Sequence, residues 1–276
     1  MKYLLLLALF GVMSVRFVNA SEFDDQKKLA EQGDASAQYN LGDIYSKGTG
    51  VAQDYVLAVY WLCKAAEQGL ASAQYNLGVM YTHGRGVPQG NVLAVAWYRK
   101  AAEQGLATAQ YNLGVMYANG TGVPQNDVLA VTWYRKAAEQ GLGSAQYNLG
   151  GMYNKGIGVQ QDNLIAITWF RKAAEQGDAP AQFNLGVIYQ NGTDVQQDDM
   201  LAVAWYRKAA EQELAPAQFN LGLMYFKGLG VPKDNVLAVT CYRKAAEQGL
   251  APAQFNLGLM YFKGLGVPKD NVLAVT

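Results

Sequence analysis

Residues 73–108, AQYNLGVMYTHGRGVPQGNVLAVAWYRKAAEQGLAT, decide the fold. Ala73, Leu77, Met80 and Tyr81 stand at i, i+4, i+7 and i+8, the spacing of one face of an α-helix. Gly84 ends that helix, where a left-handed C-cap admits glycine without strain. Gly86-Val87-Pro88 forms a loop whose one apolar residue, Val87, plugs it onto the core. A second helix starts near Asn91, with Leu93, Ala94, Trp97, Ala101 and Ala102 as its expected apolar stripe and Gly105 as its end. Arg99 and Glu103 lie i, i+4 apart on its solvated flank, a pair worth about 0.3 kcal/mol. A lone hairpin of this size leaves apolar surface on both faces, so it needs neighbours.

The chain supplies them. The motif A-Q-[YF]-N-L-G begins at 37, 73, 109, 145, 181, 217 and 253, always 36 residues apart. Trp61, Trp97, Trp133, Trp169 and Trp205 keep the same step, and Cys241 takes the next slot. The expected fold is all-α: an α/α solenoid, a right-handed superhelix of stacked antiparallel helix pairs with period 36. Residues 37–276 hold six full repeats, starting at 37, 73, 109, 145, 181 and 217, and a truncated seventh at 253. Residues 21–36 form an N-terminal cap, because Lys28-Leu29-Ala30-Glu31-Gln32-Gly33 matches the K-A-A-E-Q-G that closes each unit. Asp34 and Asp178 are expected N-caps, and Pro180, Pro216 and Pro252 fall in a first turn that tolerates proline.

Gly78 and its copies sit in mid-helix at a loss of about 1 kcal/mol against alanine, so another helix is expected to cross closely there. Caps and crossings together account for the excess of glycine, 30 residues in the chain. Two departures stand out. Asp194 and Glu213 replace glycines, and their turns are expected to be distorted. Residues 214–240 are identical to 250–276, which ends inside a second helix without a polar cap. That end is expected to continue, or to dock on something, with self-association through it as one outcome.

These motifs, A-Q-Y-N-L-G-V-M-Y, G-x-G-V and L-A-V-x-W-Y-R-K-A-A-E-Q-G, resemble the Sel-one-like repeat family, a 36-residue relative of the tetratricopeptide repeat. The resemblance covers residues 24–276. It implies an adaptor that holds proteins or peptides in assemblies. A cysteine-rich exported branch of the family has a regular cysteine pair in each repeat and has been linked to penicillin binding. This chain departs from it: Cys63 aligns with Arg99 and Cys241 with Trp205, so the two occupy different slots.

Met1–Ala20 reads as a secretory signal, with Lys2, an apolar run from Leu4 to Met13, and Val18-Asn19-Ala20 at the cleavage position. Export follows as an expectation: periplasmic or secreted in a bacterium, or the lumen of the secretory pathway in a eukaryote. No integral membrane segment is expected after cleavage. The 22 basic and 22 acidic residues balance, which disfavours a nucleic-acid partner. The single histidine, His83, disfavours a metal site, and it is expected to be an exposed residue late in a helix. No S-x-x-K and no G-K-[ST] occurs, and the G-x-G pairs lack a third glycine and a preceding strand. No catalytic residue, metal or cofactor is therefore assigned. Lys64 beside Cys63 could lower that thiol's pKa, but a helix-flank thiol is the plainer reading. Asn119-Gly120-Thr121 and Asn191-Gly192-Thr193 fit a glycosylation acceptor and equally fit helix C-caps.

A second stripe of the first helix, Tyr75-Val79-Thr82, faces another side of the cylinder. By analogy with tetratricopeptide proteins it lines a concave groove with an aromatic row: Tyr39, Tyr75, Tyr111, Tyr147, Phe183, Phe219 and Phe255. That row could equally pack between units. The groove is polar at Asp43-Ser46-Lys47, and apolar with a basic edge at Leu223-Phe226-Lys227 and Leu259-Phe262-Lys263. Asn76, Asn112 and Asn148 either hydrogen-bond an extended peptide or tie neighbouring helices. The expected function is an exported, non-enzymatic scaffold that binds a protein or peptide through this groove. Two alternatives remain: an enzyme acting on β-lactams or peptidoglycan, by family analogy only, and a self-assembling structural protein.

Overall fold

The computed structural model describes residues 20–274, so the expected signal peptide lies, but for Ala20, outside the described residues. Among the described residues there are fourteen α-helices and no strand: α1 (Ala20–Glu31), α2 (Ala35–Lys47), α3 (Tyr55–Glu67), α4 (Ala71–His83), α5 (Asn91–Glu103), α6 (Ala107–Asn119), α7 (Asp127–Glu139), α8 (Gly143–Lys155), α9 (Asn163–Glu175), α10 (Ala179–Asn191), α11 (Asp199–Glu211), α12 (Ala215–Lys227), α13 (Asn235–Glu247) and α14 (Ala251–Lys263). They build an all-α solenoid of helix pairs. The chain divides after Ala101, within α5, into two compact units.

Each first helix ends as the sequence requires. Gly48, Gly84, Gly120, Gly156, Gly192, Gly228 and Gly264 all adopt the left-handed conformation, with φ between 65° and 72°. Asp34 and Asp178 cap the helices that follow, accepting from the backbone N–H of Ala37 at 2.7 Å and Ala181 at 2.8 Å. Second helices are capped the same way by Asp54, Asn126, Asp162, Asp198 and Asp234.

In the first unit, Ala58, Val59, Leu62, Ala65, Ala66, Ala73, Leu77 and Met80 form one core cluster, with Val87 plugged against it. Alpha-5 differs from expectation. Ala94, Val95, Tyr98 and Ala101 are buried, whereas Leu93 is 50% exposed and Trp97 is only partly covered. The cause is the notch at Gly78, where an added Cβ would lie 2.5 Å from the Tyr98 ring. The ring fills the space that glycine leaves, and this fixes the helix's rotation. Trp97 is turned to the flank, where the Lys100 ammonium sits 4.2 Å from its ring centroid, a cation–π contact.

The second unit repeats the arrangement. Tyr134, Phe170, Tyr206 and Tyr242 fill the notches at Gly114, Gly150, Gly186 and Gly222. Lys136, Lys172 and Lys208 lie 4.4, 4.5 and 4.4 Å above Trp133, Trp169 and Trp205. Arginines at copies of Arg99 join their neighbours: Arg171 donates to the Tyr189 hydroxyl at 2.8 Å and Arg243 to that of Tyr261 at 2.9 Å.

A buried amide sits at the joint on α2, α4, α6, α8, α10 and α12, while its copy Gln254 on α14 is exposed. Gln146 donates to the Ala138 carbonyl at 3.1 Å and accepts from Gln176 at 2.8 Å. Gln182 does the same with Ala174 and Gln212, at 3.0 and 2.9 Å. In the first unit Gln38 bonds Ala30 and Gln68 at 3.0 and 2.8 Å. Each side-chain amide thus pairs both its donor and its acceptor, which is what makes its burial tolerable.

The distortion expected at Asp194 and Glu213 is local. Both keep a left-handed φ, of 53° and 63°, below the 65–77° and 84–99° of the glycines in the matching slots, and the flanking helices keep their boundaries. At Asp194 the side chain contributes a compensation, accepting from the Asn163 amide.

Candidate functional site

The aromatic row packs first and faces outward second. In the first unit the ring of half-buried Tyr75 lies 5.8 Å from that of Tyr98. In the second unit Tyr111, Tyr147, Phe183 and Phe219 lie 5.8–5.9 Å from Tyr134, Phe170, Tyr206 and Tyr242 in tilted pairs. Each outer ring shields a buried one and keeps an accessible edge. Tyr39 is half-buried among the first-unit core residues, and Phe255 is 68% exposed. The asparagines of A-Q-[YF]-N-L-G also reach across: Asn148 faces the Tyr134 hydroxyl and Asn220 that of Tyr206, close enough to hold down pKa values that burial pushes up.

Two cavities open on this face of the second unit. The larger, of about 510 Å³, is lined by Tyr147, Asn148, Gly151, Asn154, Lys155, Phe170, Asn184, Val187 and Thr193 among others. The smaller, of about 220 Å³, is lined by Leu223, Phe226, Lys227, Tyr242, Asn256, Leu259, Met260, Lys263 and Leu265. They are the same place in the repeat, two units apart: Gly151 becomes Leu223, Asn154 becomes Phe226, Val187 becomes Leu259 and Thr193 becomes Leu265. One scaffold position thus carries a roomy hollow of mixed polarity and then a tighter, more apolar one with two lysines at its rim.

The smaller cavity brings together Leu223, Phe226, Lys227, Leu259 and Lys263, as the sequence suggested, and leaves Phe262 outside its lining. Phe262 is 54% exposed, with the Lys269 ammonium 5.4 Å from its ring centroid. Sequence reasoning missed Asn256 and Tyr242. Tyr242 is 1% exposed, and burial pushes its pKa up to about 12, so its hydroxyl stays a protonated donor. Among the described residues no group meets hydrogen-bond geometry with that hydroxyl, although Asn256 lies near enough to lower its pKa.

Other groups considered in the sequence do not converge. His83 is exposed and its Nδ1 lies 2.9 Å from the Val79 carbonyl oxygen. The Cys63 thiol is shifted upward by burial and by Glu67, opposite to the direction Lys64 would give, and burial pushes Cys241 to about 11. Both thiols are free and poorly ionised. Asn119 and Asn191 end their helices ahead of left-handed Gly120 and Gly192. Among the described residues no group of three or more His, Cys, Asp or Glu is placed to hold a metal. Among them, too, no helix is long and apolar enough to cross a membrane.

Among the described residues, stacked hairpins with a side-chain-lined face define an all-α repeat scaffold. The chain belongs to the Sel1 repeat family, whose model matches residues 35–70, 71–106, 107–142, 143–178, 179–214, 215–250 and 251–276. Members are generally non-enzymatic scaffolds that mediate protein interactions. A crystal structure of a protective antigen of uropathogenic Escherichia coli, displaying an SLR fold, is 42% identical over 92% of this chain with a TM-score of 0.89. This chain spans 54% of that antigen's length. A Sel1 repeat protein of Oxalobacter formigenes is 39% identical over 92% of this chain and 74% of its own, with a TM-score of 0.76. No curated protein matches the chain.

Proposed function

We propose that this protein is an exported, non-enzymatic scaffold that binds a protein or peptide partner on the first-helix face of its second unit. The observation that carries the reading is the pair of equivalent cavities with different linings, mixed in one and apolar in the other. Packing alone gives no reason for one repeat position to change from Gly151 and Asn154 to Leu223 and Phe226, while binding a partner of uneven polarity does. Exposed apolar residues grouped on one face mark interaction sites, and aromatic side chains are favoured anchors in them. The N-terminal apolar run Leu4–Met13 followed by Val18-Asn19-Ala20 supports export, and so does likeness to a protein described as a protective antigen.

Affinity capture with crosslinking in the host's exported fraction tests the reading. The native chain is compared with a Phe226→Asp, Phe262→Asp variant of equal helicity. A partner held by the native chain and lost from the variant supports the groove; equal capture by both moves the interaction elsewhere. Edman sequencing of the exported protein should begin at Ser21, and an intact Met1 would overturn export by cleavage.

A further inference from the structure

In two other repeats the hydroxyl of the buried second-helix tyrosine is answered by the residue near the end of the preceding first helix, whereas Tyr134, whose slot holds Ala118, is met by Asn148 instead. The Tyr98 hydroxyl meets Thr82 Oγ1 at 3.2 Å. The Tyr206 hydroxyl donates to Gln190 Oε1 at 2.7 Å. The same slot before Tyr242 holds Phe226, which has no acceptor, and the Tyr242 hydroxyl is left buried and unpaired beside the smaller cavity. An unmet buried donor is costly, and a ligand that brings an acceptor recovers that cost on binding.

The surrounding charge selects the kind of acceptor. Lys227 and Lys263 border the cavity. In α2 the corresponding Lys47 pairs with Asp43 at 2.8 Å, one turn earlier. Leu223 and Leu259 take that carboxylate's place here, and no ion pair to Lys227 or Lys263 occurs among the described residues. Lys233 and Lys269, 5.6 and 5.4 Å from the rings of Phe226 and Phe262, add positive charge of their own. An apolar hollow with a donor in its wall and cations at its rim complements a carboxylate carried next to an apolar side chain. The set Leu-x-x-Phe-Lys occurs on α12 and again on α14. A repeated set favours a segment running past over a chain end stopping at one place.

We propose that this cavity receives an acidic residue with an apolar neighbour from an internal segment of a partner peptide, the carboxylate pairing with Lys227 and Lys263 and, by parting the side chains that seal it, accepting from the Tyr242 hydroxyl. The proposal rests on the groove-binding reading above and names what the apolar end of that groove recognises. Neutral or basic segments lack the charge to repay leaving water beside two lysines.

The test uses three dye-labelled twelve-residue peptides with leucine at every fourth position and glutamate, glutamine or lysine beside each leucine. Their binding to the purified protein is followed by fluorescence anisotropy. The glutamate peptide is expected to bind about tenfold more tightly than the glutamine peptide, the scale of one charge-assisted hydrogen bond. The lysine peptide is expected not to bind. Lys227→Gln with Lys263→Gln should erase the preference for glutamate. Tyr242→Phe should weaken the glutamate peptide about fivefold and raise the thermal midpoint; a structural role for the hydroxyl would instead lower that midpoint. Equal binding of the glutamate and glutamine peptides, or a Tyr242→Phe protein that binds glutamate as before, overturns the carboxylate. If those peptides bind alike yet are lost from the Phe226→Asp variant, the groove survives and its acidic preference falls. If no peptide binds, the acidic-segment proposal falls, and the capture experiment alone decides the groove.

Discussion

Gly150 and Gly151 are neighbours in α8, and the same substitution should act on them in opposite directions. At Gly151 an added Cβ meets nothing within 4 Å, so Gly151→Ala keeps only the gain of replacing glycine in a helix, about 1 kcal/mol. At Gly150 the Cβ would lie 2.8 and 2.9 Å from Cδ1 and Cε1 of Phe170 and 3.2 Å from the Ala166 carbonyl oxygen. Ordinary carbon contacts begin near 3.5 Å, so the ring must retreat by about 0.7 Å. Phe170 is 2% exposed; its ring also borders the larger cavity, which can take up part of that retreat, but the Ala166 carbonyl is backbone and yields less cheaply. Overpacking of this kind costs about 1–3 kcal/mol, with the carbonyl contact pushing toward the upper end. Set against the same helix gain of about 1 kcal/mol, Gly150→Ala should destabilise by about 1–2 kcal/mol. Urea titrations followed by circular dichroism at 222 nm read both variants. Repeat arrays do not always unfold in one step, but both changes lie in one helix, so the midpoint of the same transition is compared. A Gly150→Ala protein as stable as Gly151→Ala would refute the close helix crossing on which the account of the fold rests.

Three further outcomes are expected. Glu213→Gly should stabilise by about 1 kcal/mol, since Glu213 holds a left-handed φ of 63° where other units place an unobstructed glycine; thermal melts check this. Gln182→Ala should cost about 2–3 kcal/mol by orphaning the Ala174 carbonyl and the Gln212 amide, measured by chemical denaturation. Burial raises the pKa of Tyr134, Tyr206 and Tyr242 to about 12 from an ordinary 10. Their hydroxyls stay neutral when folded while the unfolded chain ionises, so this contribution is full below pH 10 and lost between about 10 and 12. Thermal midpoints should fall across that window, and absorbance at 295 nm should show these tyrosinates only on unfolding.

The period, the hairpin and its caps were legible because each rests on local chemistry that one repeat shows and the next confirms. The rotation of the second helix was not. Leu93 and Trp97 are as apolar as Val95 and Tyr98, so hydrophobicity alone cannot choose between the two sets. The choice is made by the notch at Gly78, which the sequence marked as a crossing without saying which ring enters it. The buried glutamines were hidden for a different reason, since glutamine is ordinarily a surface residue. Their repetition one position after the core alanine was the available signal, because Gln146 lies on the same side as Leu149 and Gly150. At Asp194 and Glu213 the sequence correctly marked a misfit, which the structure meets by local shifts of φ that leave the flanking helices unchanged.

The candidate site was half legible. Leu223, Phe226 and Leu259 stood out as departures from an otherwise copied pattern. Tyr242 did not, because it is a regular member of the core row. Its hydroxyl becomes unusual only when the residue that should answer it, at the position of Phe226, is seen to be unable to.

Hydrogen exchange measured along the chain with and without the captured partner tests the central claim most directly. The groove account predicts that protection on binding concentrates in α12 and α14, at the peptides carrying Leu223–Lys227 and Leu259–Lys263. Protection confined to the loops, or to the second helices α11 and α13, would contradict it.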